Sequence, residues 1–408
     1  MKDLVPQMDN LKLRASWGSI GNDSQLNASQ FVSGWQFEDR FILGGAGNSS
    51  ASITNGMKEA NLENPNITWY KVMTTNVGLD GSFWGGKLSF EFDYFYRKTT
   101  GYPATRNTSL PTTSGIPLPQ ENLNSSDNRG FELSLGTVQR NVNLQIKGNV
   151  AYAREKDLYK EQALPLNQYK NWRDNGAYRW KNVTWGYEHI GQFQSYDEIY
   201  NSPIQDGKGN SSLRPGDIKY KDLNGDGLID ANDEKVIGKG TFPDLNFGLT
   251  LAADWKGFDV NILFQGASNY TQVLNALTSP FRGPGEGNGF RVWMDSWHKA
   301  DYNDPDSEWV PGKFPSLRIE GNDNNSKKST YWTTDAYYVR LKSIEIGYTI
   351  PKNLLSKVGI EHLRVYANAY NPLTITNVKY TDPEAIEGWQ SFYYPQLKVY
   401  SFGVNVSF

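Results

Sequence analysis

The sequence predicts an all-β fold, a portion of an antiparallel transmembrane β-barrel with short periplasmic turns and long extracellular loops. Apolar and polar residues alternate with a period of two in about ten segments, giving each strand one apolar and one polar face. Short and long connections alternate strictly, so all the short turns gather at one end of the strands, as in outer-membrane barrels. No run of about 18 apolar residues occurs, so no membrane-spanning helix is encoded.

The segments lie near 10–19, 67–81, 86–99, 128–138, 141–155, 243–254, 257–268, 336–350, 361–371 and 396–408. In "GKLSFEFDYFYRK", Leu88, Phe90, Phe92, Tyr94 and Tyr96 share one face, and Lys87, Ser89, Glu91 and Asp93 take the other. In "NVNLQIKGNVAYA", Val142, Leu144, Ile146, Val150 and Tyr152 alternate with Asn143, Gln145, Lys147 and Asn149. At the C-terminus Tyr400, Phe402, Val404, Val406 and Phe408 alternate with Ser401, Gly403, Asn405 and Ser407. Most segments reach the roughly 9–11 residues with which a tilted strand crosses a bilayer.

The short connections are "SFWGG", "TVQ", "WKG" and the Pro351–Gly359 stretch; the long ones cover about 20–66, 100–127, 156–242, 269–335 and 372–395. A compact soluble domain rarely carries structureless connections of that length. A soluble β-sandwich shares the alternation. The loop asymmetry, the aromatic strand ends (Trp69, Tyr70, Trp84, Trp255, Tyr337, Tyr338) and the terminal Phe408 favour the barrel. The alternation predicts Glu91, Asp93, Arg97 and Lys147 inside, with Phe90, Phe92, Leu144 and Val404 toward lipid.

Composition fits this reading. Of 408 residues, 14% are aromatic, and Gly is abundant, a mixture that suits strands joined by polar loops. The net charge of −3 gives no support to nucleic-acid binding. Cysteine is absent, which removes disulfides, thiol nucleophiles and Cys-ligated metals. "MKDLVPQMDN" carries no apolar core of a signal peptide.

One loop stands apart. "DLNGDGLIDAND", residues 222 to 233, places Asp222, Asn224 and Asp226 at alternate positions before Gly227, followed by Leu228, Asp230 and Asp233. Calcium takes six to eight oxygens, and this spacing lets a short loop wrap around it, with Leu228 offering its carbonyl. The expectation is a structural Ca2+ site; the competing reading is an Asx-rich turn without an ion. A sensor role is not expected, because no paired helices flank the loop.

Other candidates carry less. His189, His298 and His362 are scattered and read as loop or lumen residues. "GGAGNSS" at 44–50 precedes no helix and lacks a phosphate-loop lysine, and triplets such as those at Asn66 and Asn107 carry no message. No two carboxylates present themselves as an acid–base pair. The tryptophans at 172, 180 and 185, and at 293, 297 and 309, either stack on sugars or pin long loops together, the second being favoured.

Several runs resemble one family. "NPNITWYKVMTTNVGLDGSFWGGKLSFEFDYFYRKTTG", "NRGFELSLG" and "PGDIKYKDLNGDGLIDANDEKVIGKGTFPDLNFGLTLAADWKGFDVNILFQG" are similar to stretches of SusC/RagA-type TonB-dependent outer-membrane transporters of Bacteroidetes. "YYVRLKSIEIGYTIPKNLL", "LRVYANAYNPLTIT" and the ending "YSFGVNVSF" follow in the family's order. The resemblance implies a barrel of about 22 strands enclosing a plug. Residues 1–408 then form the C-terminal portion of the barrel, without plug domain, TonB box or signal peptide. It implies import of oligosaccharides or peptides, a SusD-like surface lipoprotein as lid, and energy from the TonB complex acting through the missing plug. The surroundings are outer-membrane lipid, and no enzyme activity is implied. The alternative function is a soluble or surface-attached carbohydrate-binding β protein in which the calcium loop is structural.

Overall fold

The computed structural model describes residues 6–26, 34–43, 52–59, 62–106, 118–139, 143–163, 167–274, 277, 289–318, 323–355, 359–385 and 396–408. Ten long strands form one antiparallel meander: β1 (Met8–Asn22), β2 (Tyr70–Phe83), β3 (Leu88–Thr105), β4 (Gln120–Gln139), β5 (Leu144–Tyr159), β6 (Leu245–Trp255), β7 (Phe258–Val273), β8 (Thr333–Thr349), β9 (His362–Thr376) and β10 (Val399–Ser407). Every strand pairs with its sequence neighbours, and β1 and β10 are the open edges among the described strands. Each alternating segment of the sequence became one of these strands.

Register carries the alternation across the whole sheet, because directly paired residues in an antiparallel ladder point to the same side. One rung runs Leu13, Leu79, Phe92, Leu133, Val150 and Phe247 from β1 to β6. The next rung runs Lys12, Asp80, Glu91, Ser134, Asn149, Gly248, Gln265, Arg340 and Thr374 from β1 to β9, on the opposite face. Phe90, Phe92, Leu144 and Val404 fall on the apolar face, and Glu91, Asp93, Arg97 and Lys147 on the polar one, as the pattern predicts. The apolar face is bare of protein: Phe402 is 87% and Val404 59% exposed. A soluble protein rarely leaves a contiguous apolar surface of this kind to water, and lipid is the solvent that suits it.

The short connections are tight. Trp84, Gly85 and Gly86 turn β2 into β3, and Lys256 and Gly257 turn β6 into β7, all with positive φ. At the other end two differences from the sequence appear. First, β3 and β4 run on to Thr105 and from Gln120, well beyond the alternating segments. The backbone ladder continues outside the bilayer, where no apolar face has to be kept, so the pattern fades while the pairing persists. Second, the long connections 156–242 and 269–335 are not structureless. They fold together into a cap with its own core of Ile218, Tyr220, Ile229, Leu277, Trp293, Phe314 and Trp332.

The aromatic strand ends divide by face. Trp69, Trp84, Trp255 and Tyr337 are between 46% and 58% exposed on the lipid side. Tyr70 and Tyr338 point inward and are buried, so they anchor loops rather than a membrane belt. "GGAGNSS" and Asn107 lie outside the described residues.

Candidate functional site on the polar face

The polar face is organised by arginines that bridge strands. Arg14 on β1 donates to Asp80 on β2 at 2.8 and 2.7 Å and to Asp93 on β3 at 3.1 and 2.8 Å. At the other edge Arg364 on β9 reaches Asp259 on β7 at 2.6 Å and Glu345 on β8 at 2.7 Å. Both clusters cross a glycine on the strand between. A Cβ on Gly78 would sit 2.6 Å from Asp93 and 2.8 Å from Arg14; one on Gly347 would sit 2.2 Å from Asp259 and 2.5 Å from Arg364. The missing side chain opens the lane through which a guanidinium spans three strands. Nearer the loops, Arg340, itself 1% exposed, donates to Asp382 at 2.9 Å and Thr374 at 3.0 Å, tying the 377–385 segment to β8.

Where β2 to β5 rise past the bilayer, their polar faces and the 167–183 loop enclose a cavity of about 790 Å³. Its lining includes Arg97, Asn128, Glu155, Asp157, Arg179 and Lys181. Lys181 binds Glu155 at 2.5 Å and Asp157 at 3.2 Å. Burial pulls the Lys181 ammonium down, but those two carboxylates outweigh it and hold its pKa above the usual lysine value. Arg97 is exposed to the cavity and meets no carboxylate at ion-pair distance among the described residues. The helix Gln168–Asp174, capped by the Asn167 side chain accepting from the Lys170 amide at 2.7 Å, forms part of the cavity's outer wall.

The cap lies beside this cavity, and its polar interior is organised around Asp217. Asp217 accepts from Asn325 at 2.8 Å, from the Arg214 amide at 2.9 Å and from Arg318 in an ion pair. Tyr220 donates to the Asn324 carbonyl at 2.7 Å, and the Trp332 indole to the Asn325 carbonyl at 2.7 Å. Trp293 packs on Phe314 and Trp332 with ring centres 5.1 and 6.2 Å apart. Trp297 is buried beside Gln192, and Trp172 meets Trp185 edge-on at 5.5 Å. Trp172, Trp185, Trp293 and Trp297 thus pin loop segments together.

The 222–233 loop belongs to the cap as a clasp. Asp222 accepts from the Gly225 and Gly227 amides at 2.6 and 2.9 Å, Asn224 from Asp226 at 3.0 Å, and Asp226 from Leu228 at 2.8 Å. Asp230 and Asp233 exchange a capping box, and Asp233 also reaches back to the Leu223 amide at 2.8 Å. Gly225 and Gly227 hold φ of 76° and 82°, a left-handed geometry that favours glycine. The Gly227 amide, with its neighbours, holds the Asp222 carboxyl below the usual range. The loop then pairs Leu228 with Ile204 and sends Ile229 into the cap core. Among the described residues no group of three or more His, Asp or Glu is placed to hold a metal ion. His189 packs on Tyr331, His298 Nδ1 donates to the Ser296 carbonyl at 2.9 Å, and His362 stands at the start of β9, so the three histidines do not meet.

Sequence reasoning placed Asp93 and Arg97 on the inner face but missed Arg14, Asp80, Arg340 and the cavity's Arg179 and Lys181. Extending the β2–β3 register backward from the Trp84–Gly86 turn would have found Asp80; the Arg14 contact needs the β1 register, which no turn fixes.

No family model matches the chain. The TonB-dependent receptor P3 of Formosa agariphila is 28% identical over 97% of this chain and 39% of its own length. The TonB-dependent receptor SusC of Bacteroides thetaiotaomicron is 24% identical over 100% of this chain and 38% of its own. The solved RagAB peptide transporter superposes with a TM-score of 0.65 at 21% identity, over 98% of this chain and 41% of that one, which supports the fold. The chain thus spans about two fifths of the length of the curated relatives it matches. With the meander, the lipid-suited face and the loop asymmetry in hand, the chain has the fold of outer-membrane β-barrel wall and resembles the matching stretch of SusC/RagA-type TonB-dependent transporters.

Proposed function

We propose that the chain supplies barrel wall and outer loops for TonB-dependent import of oligosaccharides or peptides. The observation that carries this reading is the unbroken polar face, which runs from the short-turn end up to the charged cavity beside the cap. The names of the relatives support TonB-coupled uptake. A SusD-like surface lipoprotein seated over the long loops would hold substrate at the outer end. The TonB complex would act through a plug in the rest of the polypeptide.

Between the two substrate classes, the cavity favours peptides. Arg97, Lys181, Glu155 and Asp157 offer both signs of charge within one chamber, which suits the termini and side chains of a peptide better than a neutral glycan. In the full-length transporter with its lipoprotein, Arg97→Gln is expected to weaken binding of a labelled acidic-peptide pool by about tenfold, the loss of one charge-assisted hydrogen bond. Binding of neutral oligosaccharides tighter than that of peptides, unchanged by Arg97→Gln, would sink the peptide reading.

Calcium on the clasp is a separate part of the proposal, with Asp222, Asn224, Asp226, Asp230, Asp233 and the Leu228 carbonyl as oxygen donors. It rests on the spacing of these residues, since many of their side-chain oxygens already accept backbone amides. The measurement is cap melting with and without millimolar Ca2+; an unchanged melting temperature leaves a plain Asx clasp.

A further inference from the structure

Beyond the last aromatic rung of the lipid-facing side, the sheet turns sharply cationic. Tyr94, Phe131 and Tyr152 form that rung across β3, β4 and β5. One step outward, Tyr96, Arg129 and Arg154 are paired. One step further come Lys98, Asp127 and Lys156, the last paired with Trp180 of the short strand Arg179–Trp180. Same-face rungs are about 7 Å apart along a strand, so both charged rungs lie within headgroup depth of the apolar band.

The charges in this patch do not balance. Arg129 and Arg154 stand directly opposite each other, an arrangement of like charges that destabilises a strand pair. Arg154, Arg129 and Lys156 all converge on the Trp180 ring, at 4.5, 5.4 and 5.8 Å from its centre. The carboxylates that answer them are Asp127, which binds Arg129 at 2.7 Å, and Asp244, 3.5 Å from Arg154. Lys98 and Lys156 form no ion pair among the described residues. Four cations against two carboxylates, three of the cations gathered on one indole at the rim of the lipid-facing surface, leave a site with a surplus of positive charge.

We propose that Arg129, Arg154 and Lys156, arranged around Trp180, together with Lys98 on the same rung as Lys156, bind the phosphate of an anionic lipid headgroup in the outer leaflet. The phosphate relieves the Arg129–Arg154 repulsion, and its acyl chains run down the apolar face past Tyr94, Phe131 and Tyr152. The same rungs thus supply both halves of the recognition, charge above and apolar surface below. The site is independent of what the lumen carries.

The test uses the full-length transporter in detergent, incubated with equimolar phosphatidic acid and phosphatidylcholine, with retained lipid counted by native mass spectrometry. The wild type is expected to retain phosphatidic acid preferentially, and Arg129→Gln with Arg154→Gln to lower that preference by about thirtyfold, given the contribution of each cation near an anionic lipid. Lys98→Gln with Lys156→Gln is expected to lower it as well, and decides the matter if the arginine pair fails to fold. Wild-type preference retained in a folded variant overturns the proposal. So does displacement of the lipid by millimolar inorganic phosphate, which would mark a site for a free anion.

Discussion

The sheet and the cap are built from the same aromatic-rich composition, yet they meet two different solvents. In the sheet the large apolar side chains are turned out: Phe92 is 37% and Phe402 87% exposed, and the polar groups face inward. In the cap the order is the familiar one, with Trp332 at 1% and Trp293 at 4% exposure. The sheet is held by its hydrogen-bond ladder and by lipid. The cap is held by packed rings and by a few buried polar groups whose partners must all be present. The two regions should therefore fail in different ways when altered.

The largest effect is expected in the cap. Arg318→Ala leaves the fully buried Asp217 without its cation and should destabilise the cap by about 3–5 kcal/mol, read as loss of loop protection from protease while the barrel stays folded. Unchanged protection would mean that Asn325 and the Arg214 amide suffice for Asp217.

Next comes the sheet. Phe92 sits on a rung flanked on both strands by Leu79 and Leu133, so Phe92→Arg should cost about 2–4 kcal/mol in a bilayer. Leu144 opens β5 at the short-turn end, and there Leu144→Arg should cost only about 0–1 kcal/mol. Folding titrations into vesicles measure both, and equal costs would contradict the depth assignment. Gly78→Val, on the inner face, collides with Arg14 and Asp93 and should cost about 1–3 kcal/mol through crowding. A silent Gly78→Val would show that the Arg14 bridge moves aside without loss.

The smallest effect is on pH. Burial opposes ionisation of Asp206, but the Ser212 amide and hydroxyl and the Lys208 and Asn210 amides outweigh it and hold its pKa at about 2. A carboxyl lowered in the folded state stabilises above its unfolded pKa and loses that contribution as pH falls through the folded one. The cap should therefore melt progressively lower between about pH 4 and about pH 2. Asp206→Asn should flatten that slope.

The comparison also explains what the sequence made legible. All ten long strands could be read because a membrane wall forces strict alternation, as in Leu88 to Tyr96. The cap could not: its strands are two to four residues long, as at Thr184–Gly186 and Ile218–Tyr220, too short to show a period. Its core residues Ile229 and Trp332 come from segments about a hundred positions apart, brought together by contacts that no local pattern encodes. The same distance hid the Arg14 bridge, whose carboxylates lie 66 and 79 positions away. Polar extensions of β3 and β4 were hidden for the opposite reason, since pairing outlasts the need for an apolar face. The clasp at 222–233 was legible as a turn down to its glycines, because Asx hydrogen bonding is local.

The central claim is the assignment of the two faces, and because these 408 residues contain no cysteine it is testable by single-cysteine spin labelling of this stretch within its barrel in lipid vesicles. Labels at Phe92 and Val404 should be accessible to dissolved oxygen and shielded from a water-soluble nickel chelate, with labels at Glu91 and Asn405 showing the reverse. An accessibility that does not alternate along β3 and β10, or that alternates with the opposite phase, would contradict the account.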